Sequence, residues 1–252
     1  MRTVTVRKVT IGEGIPKICV PMVGAARAEI LKEAETITHM QADLVEWRVD
    51  WFEGANPQAA AEVLTELRKV LGELPLLFTF RTKQEGGQRQ IGIDEYVSFY
   101  EAAVRSGNVD LIDAELFLGE ETVTRLIHMA HSCGVKVIAS NHDFAKTPKR
   151  QEILKRLCAM QRLGADILKI AAMPKSRADV LELLAATEQM HRSYADRPVV
   201  TMSMGSDGVI SRLCGEAFGS AITFGSAGKA SAPGQLPADE LAQILSLIHR
   251  AM

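Results

Sequence analysis

Eight short runs of β-branched and aliphatic residues recur along the chain at intervals of roughly 22 to 35 residues, and this regularity constrains the fold more than any other feature. They are KICVPMV from Lys17, LVEWRVDW from Leu44, LLFTFR from Leu76, LIDAEL from Leu111, VKVIASNH from Val135, ILKIAAM from Ile167, VVTMSM from Val199 and ITFGSA from Ile222. Segments with helical periodicity separate them, at 26–40, 57–71, 94–106, 120–133, 148–163, 177–193, 207–218 and 238–251. Gly72, Gly107, Gly134 and Gly164 stand where helices should stop, and Thr147-Pro148 and Leu236-Pro237 suit helix starts with proline in the first turn.

Eight strand–helix units in 252 residues, with no linker or low-complexity tract between them, match an α/β (β/α)8 barrel forming one domain over 1–252. A doubly wound open sheet is the structural competitor. It would have to explain such regular spacing without a glycine-rich dinucleotide turn after its first strand. The alternating segment 2–12 precedes the first barrel strand and is expected to form a small hairpin closing the N-terminal end of the barrel.

Charge narrows the partners. With 29 basic against 31 acidic residues the net charge is -2, which offers no footprint for nucleic acid or an anionic membrane and leaves an anionic small molecule open. No stretch approaches the roughly 18 apolar residues of a membrane span, and residues 1–12 lack the apolar core of a signal peptide. A cytoplasmic protein is therefore expected. Cys19, Cys133, Cys158 and Cys214 have no CxxC spacing and read as buried free thiols.

Side chains alternate across a strand, so Glu46, Arg48 and Asp50 in EWRVD share one face while Trp47, Val49 and Trp51 share the other. The apolar set should meet the helices, and the charged set should face the barrel axis, where ions survive only if paired, hydrogen-bonded or wetted at the mouth. The same parity groups Asp113 with Glu115 and Ser140 with His142, and it leaves Arg81 at the end of LLFTFR. All lie toward the C-terminal ends of their strands, the end at which barrel enzymes carry their active sites.

Lys169 sits in the aliphatic run DILKIAAMP. It either covers apolar surface with its stem while its ammonium reaches water, or points into a dry pocket as a nucleophilic amine. Company at the mouth favours the second, because nearby arginines and aliphatic walls would both lower its pKa. His142 on the preceding strand could then titrate near neutrality and move protons. Glu85, in RTKQEGG, is either a solvated loop carboxylate or the partner that fixes the His142 tautomer. Met202 and Met204 fill the axis or wall a substrate ring. Arg212, in a helix after the seventh strand, suits a carboxylate. The loop TFGSAGKASAPGQ offers Ser231 and Gln235, is not a Walker A loop, and is expected to close over substrate across 225–235.

Taken together and in this order, EWRVD, FTFR followed by EGG, SNHDF with TP, DILKIA, SMG with SR, and TFG with ASAPGQ resemble the type I 3-dehydroquinate dehydratases of the shikimate pathway. The resemblance implies a cofactor-free syn elimination of water from 3-dehydroquinate, with Lys169 forming an imine, His142 as acid/base and Glu85 as its partner. It further implies that Glu46, Arg48, Arg81, Arg212, Ser231 and Gln235 contact the substrate; Met202, Met204 and Phe224 are expected substrate contacts beside them, and a homodimer is expected. Where some relatives carry a serine, this chain has Pro21, so no contact is carried onto that position.

Two other functions remain open at this stage. The acids Glu46, Asp50, Asp113 and Glu115 could hold Mg²⁺ or Mn²⁺ in a metal-dependent lyase or aldolase, although the interleaved Arg48 would compete with the ion. A non-catalytic barrel binding an anionic metabolite is the third. The stripe Leu241, Ile244, Leu245 and Ile248 on the last helix must be buried against something, which leaves the oligomeric state open.

Overall fold

The structure, a computed structural model, describes residues 2–228 and 231–252. Eight parallel strands form one ring in the order β10-β3-β4-β5-β6-β7-β8-β9. They are β3 (Lys17–Met22), β4 (Leu44–Arg48), β5 (Leu76–Thr79), β6 (Leu111–Glu115), β7 (Lys136–Asp143), β8 (Ile167–Ala172), β9 (Val199–Ser203) and β10 (Ile222–Phe224). Between β9 and β10 the ring is joined by a bridge of Val199 with Ser220 and by the Ala221 N–H donating to the Val199 carbonyl at 2.7 Å. The eight expected strands are these eight, in a nearly closed barrel.

The helices are α1 (Arg27–Ile37), α2 (Pro57–Leu71), α3 (Ile93–Arg105), α4 (Glu120–Ser132), α5 (Arg150–Arg162), α6 (Arg177–Ser193), α7 (Val209–Leu213), α8 (Gly215–Phe218) and α9 (Ala238–Ala251). In α2, Asn56 caps the start by accepting from the Ala59 N–H and Pro57 occupies the first turn. Its buried stripe is Ala60, Val63, Leu64, Leu67 and Leu71, the helical spacing of one face, and each fully buried leucine contributes about 1.5–3 kcal/mol. Gly72 then ends it at φ 55°, a left-handed backbone costly for a residue with a Cβ.

Several expectations need correction. The segment 207–218 is not one helix: it breaks at Cys214, because Gly215 lies so close to the Ser220 carbonyl and Pro16 that a Cβ would press on both. Pro237 is the cap of α9 rather than part of its first turn, and α5 starts at Arg150, two residues after Pro148. The second and third strands end sooner than their sequence runs, at Arg48 and Thr79, so Asp50 lies in a 3-10 turn and Arg81 in a loop. Of the four free cysteines only Cys19 is buried; Cys133 is exposed at the end of α4, and Cys158 and Cys214 are partly so.

Parity decides what lies inside. Outward residues such as Val45, Trp47, Phe78, Ile112, Val137 and Leu168 pack with the helices in one apolar layer. Inward, each strand contributes one apolar residue to a common layer: Cys19, Leu44, Leu77, Leu111, Ile138, Ile167, Val200 and Ile222. Val4, Val6 and Ile11 of the hairpin β1 (Val4–Val6) and β2 (Val9–Ile11) join that same cluster, so the hairpin stoppers the N-terminal end as expected. Two residues further along, the inward positions turn polar in five strands: Glu46, Thr79, Asp113, Ser140 and Lys169. An apolar floor thus carries a charged layer, and the site stands on it.

Pro21 is tolerated in β3 for a topological reason. The odd residues Lys17 and Cys19 bond toward β10, but β10 ends at Phe224 and Ser226 turns away to bond the Leu236 carbonyl. The N–H that proline lacks would therefore have no strand beside it.

Candidate active site

The C-terminal mouth of the barrel opens on a pocket of about 480 Å³, counting the solvent at its opening. Glu46, Arg48, Arg81, Glu85, His142, Lys169, Met202, Met204, Arg212, Phe224, Ser231 and Gln235, every site residue expected from sequence, line it.

Lys169 is 3% exposed and does not reach bulk water, which excludes the surface-stem reading. Its Nζ donates to Asp113 Oδ2 at 3.1 Å, lies 3.9 Å from Glu46 Oε1 and sits 4.5 Å above the Phe224 ring. Its nearest charges are therefore carboxylates, not the arginines expected. Arg81 reaches it only through the shared Asp113, whose other oxygen it contacts at 2.8 Å. Burial pushes the Asp113 carboxyl up, but Arg81, Lys169 and the Ser140 hydroxyl outweigh this and bring it down to about 2. A fixed anion therefore sits behind the amine. Parity groups Asp113 with the mouth but does not pair it with Lys169; what joins the two is their common level in the polar layer.

Glu85 ends a 3-10 turn (Lys83–Glu85) that the following glycines make possible. Gly86 has φ 87°, and a Cβ there would run into the Phe144 ring; one on Gly87 would strike the Arg81 carbonyl. The turn delivers Glu85 to His142 at two points: Oε2 accepts from the His142 backbone N–H at 2.8 Å and lies 2.9 Å from ring Nδ1. The solvated-loop reading of Glu85 is thereby excluded, since the residue is 4% exposed. With Nδ1 engaged, Nε2 is the ring nitrogen left for chemistry.

Burial and the neighbouring Glu115 push Glu85 up to about 8, against the pull of Arg81, Asn141 and the His142 N–H. Burial, with Arg81, Lys169 and Arg48, holds His142 well below its usual range, so it does not titrate near neutrality by itself as expected. The two titrate as one unit.

The remaining charges are braced. Arg48 makes a double contact with Asp50 at 2.8 and 2.9 Å, and Asp50 also accepts from the Arg81 and Gln88 backbone N–H groups. Glu115 accepts from Arg81 at 2.8 Å and from Thr82 through both its N–H and its hydroxyl. The Thr79 hydroxyl donates to Glu46 at 2.9 Å. The acids of the metal reading are thus occupied by cations and hydroxyls, and no group of three or more His, Cys, Asp or Glu able to hold a metal occurs among the described residues.

Arg212 closes the opposite wall. It is 1% exposed, donates to the Pro233 carbonyl at 3.0 Å and stands 3.7 Å from Met202 Sδ, while its Nε has no partner among the described residues. Burial alone lowers it to about 10. A cation held dry with a spare donor is suited to an anion. Beside it, Gln235 and Ser231 bond each other, Nε2 to Oγ at 3.0 Å and the Ser231 N–H to Oε1 at 2.9 Å. The expected closure of 225–235 turns partly on Lys229 and Ala230, which lie outside the described residues.

A lysine and a carboxylate-backed histidine at one mouth, with arginines around them, can perform imine chemistry on an anionic carbonyl compound. Comparison with known proteins points the same way. Residues 18–252 match the family model described as type I 3-dehydroquinase. The chain is 53% identical over its full length to a 3-dehydroquinate dehydratase of Clostridioides difficile (strain 630), covering 99% of that protein. It is 52% identical to one of Syntrophotalea carbinolica, over 99% of each chain. Among solved structures, a type I 3-dehydroquinate dehydratase from Clostridium difficile with covalently modified comenic acid superposes with TM-score 0.97 at 53% identity, over 100% of this chain and 99% of that one.

Proposed function

The chain belongs to the type I 3-dehydroquinase family and acts as a 3-dehydroquinate dehydratase of the shikimate pathway, and from that premise we propose which of its residues perform the reaction. Lys169 Nζ adds to the substrate ketone and the carbonyl oxygen leaves as water, giving a protonated imine. His142 Nε2 takes a proton from C2 while the C–H electrons move toward the iminium, a far better electron sink than the ketone. Those electrons return to expel the C1 hydroxyl, which His142 protonates as it departs. Water then adds to the imine carbon and releases the product ketone and the free amine.

The observation that carries this reading is Lys169: a buried amine, fixed by Asp113 and sharing one pocket with the His142–Glu85 pair. Arg212 takes the substrate carboxylate, Ser231 and Gln235 join it, and Glu46, Arg48 and Arg81 serve the ring hydroxyls. Met202, Met204 and Phe224 supply the apolar walls. Incubation with 3-dehydroquinate followed by borohydride should fix one adduct on Lys169, located by peptide mass spectrometry. Turnover with no adduct there would overturn the assignment.

The same proposal makes the protein a single-domain cytoplasmic homodimer. No helix among the described residues is long and apolar enough to cross a membrane, and Leu247, 59% exposed on α9, gives a second copy apolar surface to cover. Light scattering after size exclusion measures the assembly directly.

A further inference from the structure

Asn141 is the outward residue of β7 that breaks the apolar series Val137 and Ala139, and it is buried at 1% exposure. A buried primary amide must be satisfied on both ends, and its two orientations are not equivalent when one neighbour only donates and the other accepts. Arg156 Nη1, reaching in from α5, donates to Asn141 Oδ1 at 2.8 Å. The Asn141 Nδ2 then faces Glu85 and donates to Oε1 at 3.0 Å. Reversed, the amide would set donor against donor and oxygen against carboxylate.

We propose that Asn141 and Arg156 are positioning residues of the acid/base pair: Arg156 fixes the Asn141 amide, and the amide occupies Glu85 Oε1 so that Oε2 is the oxygen left for His142. This rests on the roles assigned above to Glu85 and His142, and it adds two residues that touch neither substrate nor reacting atoms. Arg156 is itself held from three sides, by Glu152 at 2.9 Å, by Asp143 at 3.7 Å and by the Phe117 ring, 5.0 Å below its guanidinium carbon. It is a rigid part, anchored outside the barrel, acting on a carboxylate at the mouth.

The amide also stabilises charge. Glu85 faces Glu115 and Arg81 as well as His142, while His142 faces Arg81, Lys169 and Arg48. Among these, Asn141 is a neutral donor aimed at the ionised carboxylate, so its loss favours the protonated form and delays the appearance of a basic Nε2 as pH rises. A hydrogen bond to a charged group is lost, which moves the transition upward by about one pH unit.

The test is a pH titration of the ring nitrogens of His142 by NMR on ¹⁵N-histidine-labelled protein, alongside the pH profile of kcat/KM, for the wild type, Asn141→Ala, Arg156→Met and Arg156→Lys. Asn141→Ala and Arg156→Met should shift both transitions to higher pH, and Arg156→Lys, which keeps a donor for Oδ1, should recover at least half of the shift. Unmoved transitions in a folded Arg156→Met protein, or a loss of activity equal at every pH, would overturn the proposal. Arg156→Met alters a helix residue outside the barrel and carries the test if Asn141→Ala does not fold. Because the NMR titration needs no turnover, it decides this inference separately from the catalytic roles.

Discussion

Lys169 and Arg81 grip opposite oxygens of one carboxylate: Nζ lies 3.1 Å from Asp113 Oδ2, and the guanidinium 2.8 Å from Oδ1. Both groups therefore share this carboxylate, although Glu115 also accepts from Arg81 at 2.8 Å and Glu46 lies 3.9 Å from Lys169. Replacing Asp113 by Asn leaves both undercompensated, and breaking such a buried arrangement costs about 3–5 kcal/mol. Urea unfolding should show that loss. The wild-type carboxyl is held near 2, below its usual 3.8, so its contribution is present above pH 3.8 and fades as pH falls through 2. The acid limb of the wild-type stability curve should accordingly be steeper than that of Asp113→Asn.

Glu85 gives the opposite sign. Its folded value of about 8 exceeds the usual 4.5, so below 8 it carries the proton that makes Nδ1 an acceptor and places a hydrogen on Nε2. Ionisation of Glu85 frees Nε2 as a base, and kcat/KM should climb through about pH 8. The stability linked to the raised value is complete below 4.5 and is lost as pH rises through 8, so the thermal midpoint should fall as activity rises. Glu85→Gln cannot ionise; it should flatten the climb and lower kcat roughly 10²-fold. An unchanged profile in that variant would rule out Glu85 as the titrating group.

Arg212→Lys tests the anion contact. Lysine keeps the charge but loses the fork and its spare Nε donor, at a cost of about 1.5–3 kcal/mol in binding, or roughly ten- to a hundredfold in KM. Because the contact is made in ground and transition states alike, kcat should change far less. Initial-rate kinetics on 3-dehydroquinate separate the two.

The hairpin should matter to stability and not to chemistry. Ile11→Ala removes most of a side chain that is 1% exposed in the axial floor, at a cost of about 2–5 kcal/mol. The polar layer lies above that floor, so kcat/KM of the folded variant should match the wild type.

The barrel, its eight strands and the inward charged set were legible because a parallel strand buried on both faces shows its axial side only through residues that do not belong there, and EWRVD and DILKIA display theirs openly. Less legible were features that depend on neighbours distant in sequence. Asp113 is one acid among several until its level with Lys169 is seen, and Asn141 looks like an ordinary strand-end polar residue until Arg156 comes in from α5. The environment of Lys169 differs from expectation for the same reason: parity places residues on a face but does not say which of several charges stands nearest. The break at Cys214 follows from a close approach of Gly215 to Ser220 and Pro16 that no local pattern announces.

The stoppered floor also governs traffic. With Val4, Val6 and Ile11 filling one end, the pocket opens at the other among the described residues, and product leaves along the path by which substrate came. Each turnover must empty the chamber before the next begins, so product at high concentration queues against substrate for the same opening.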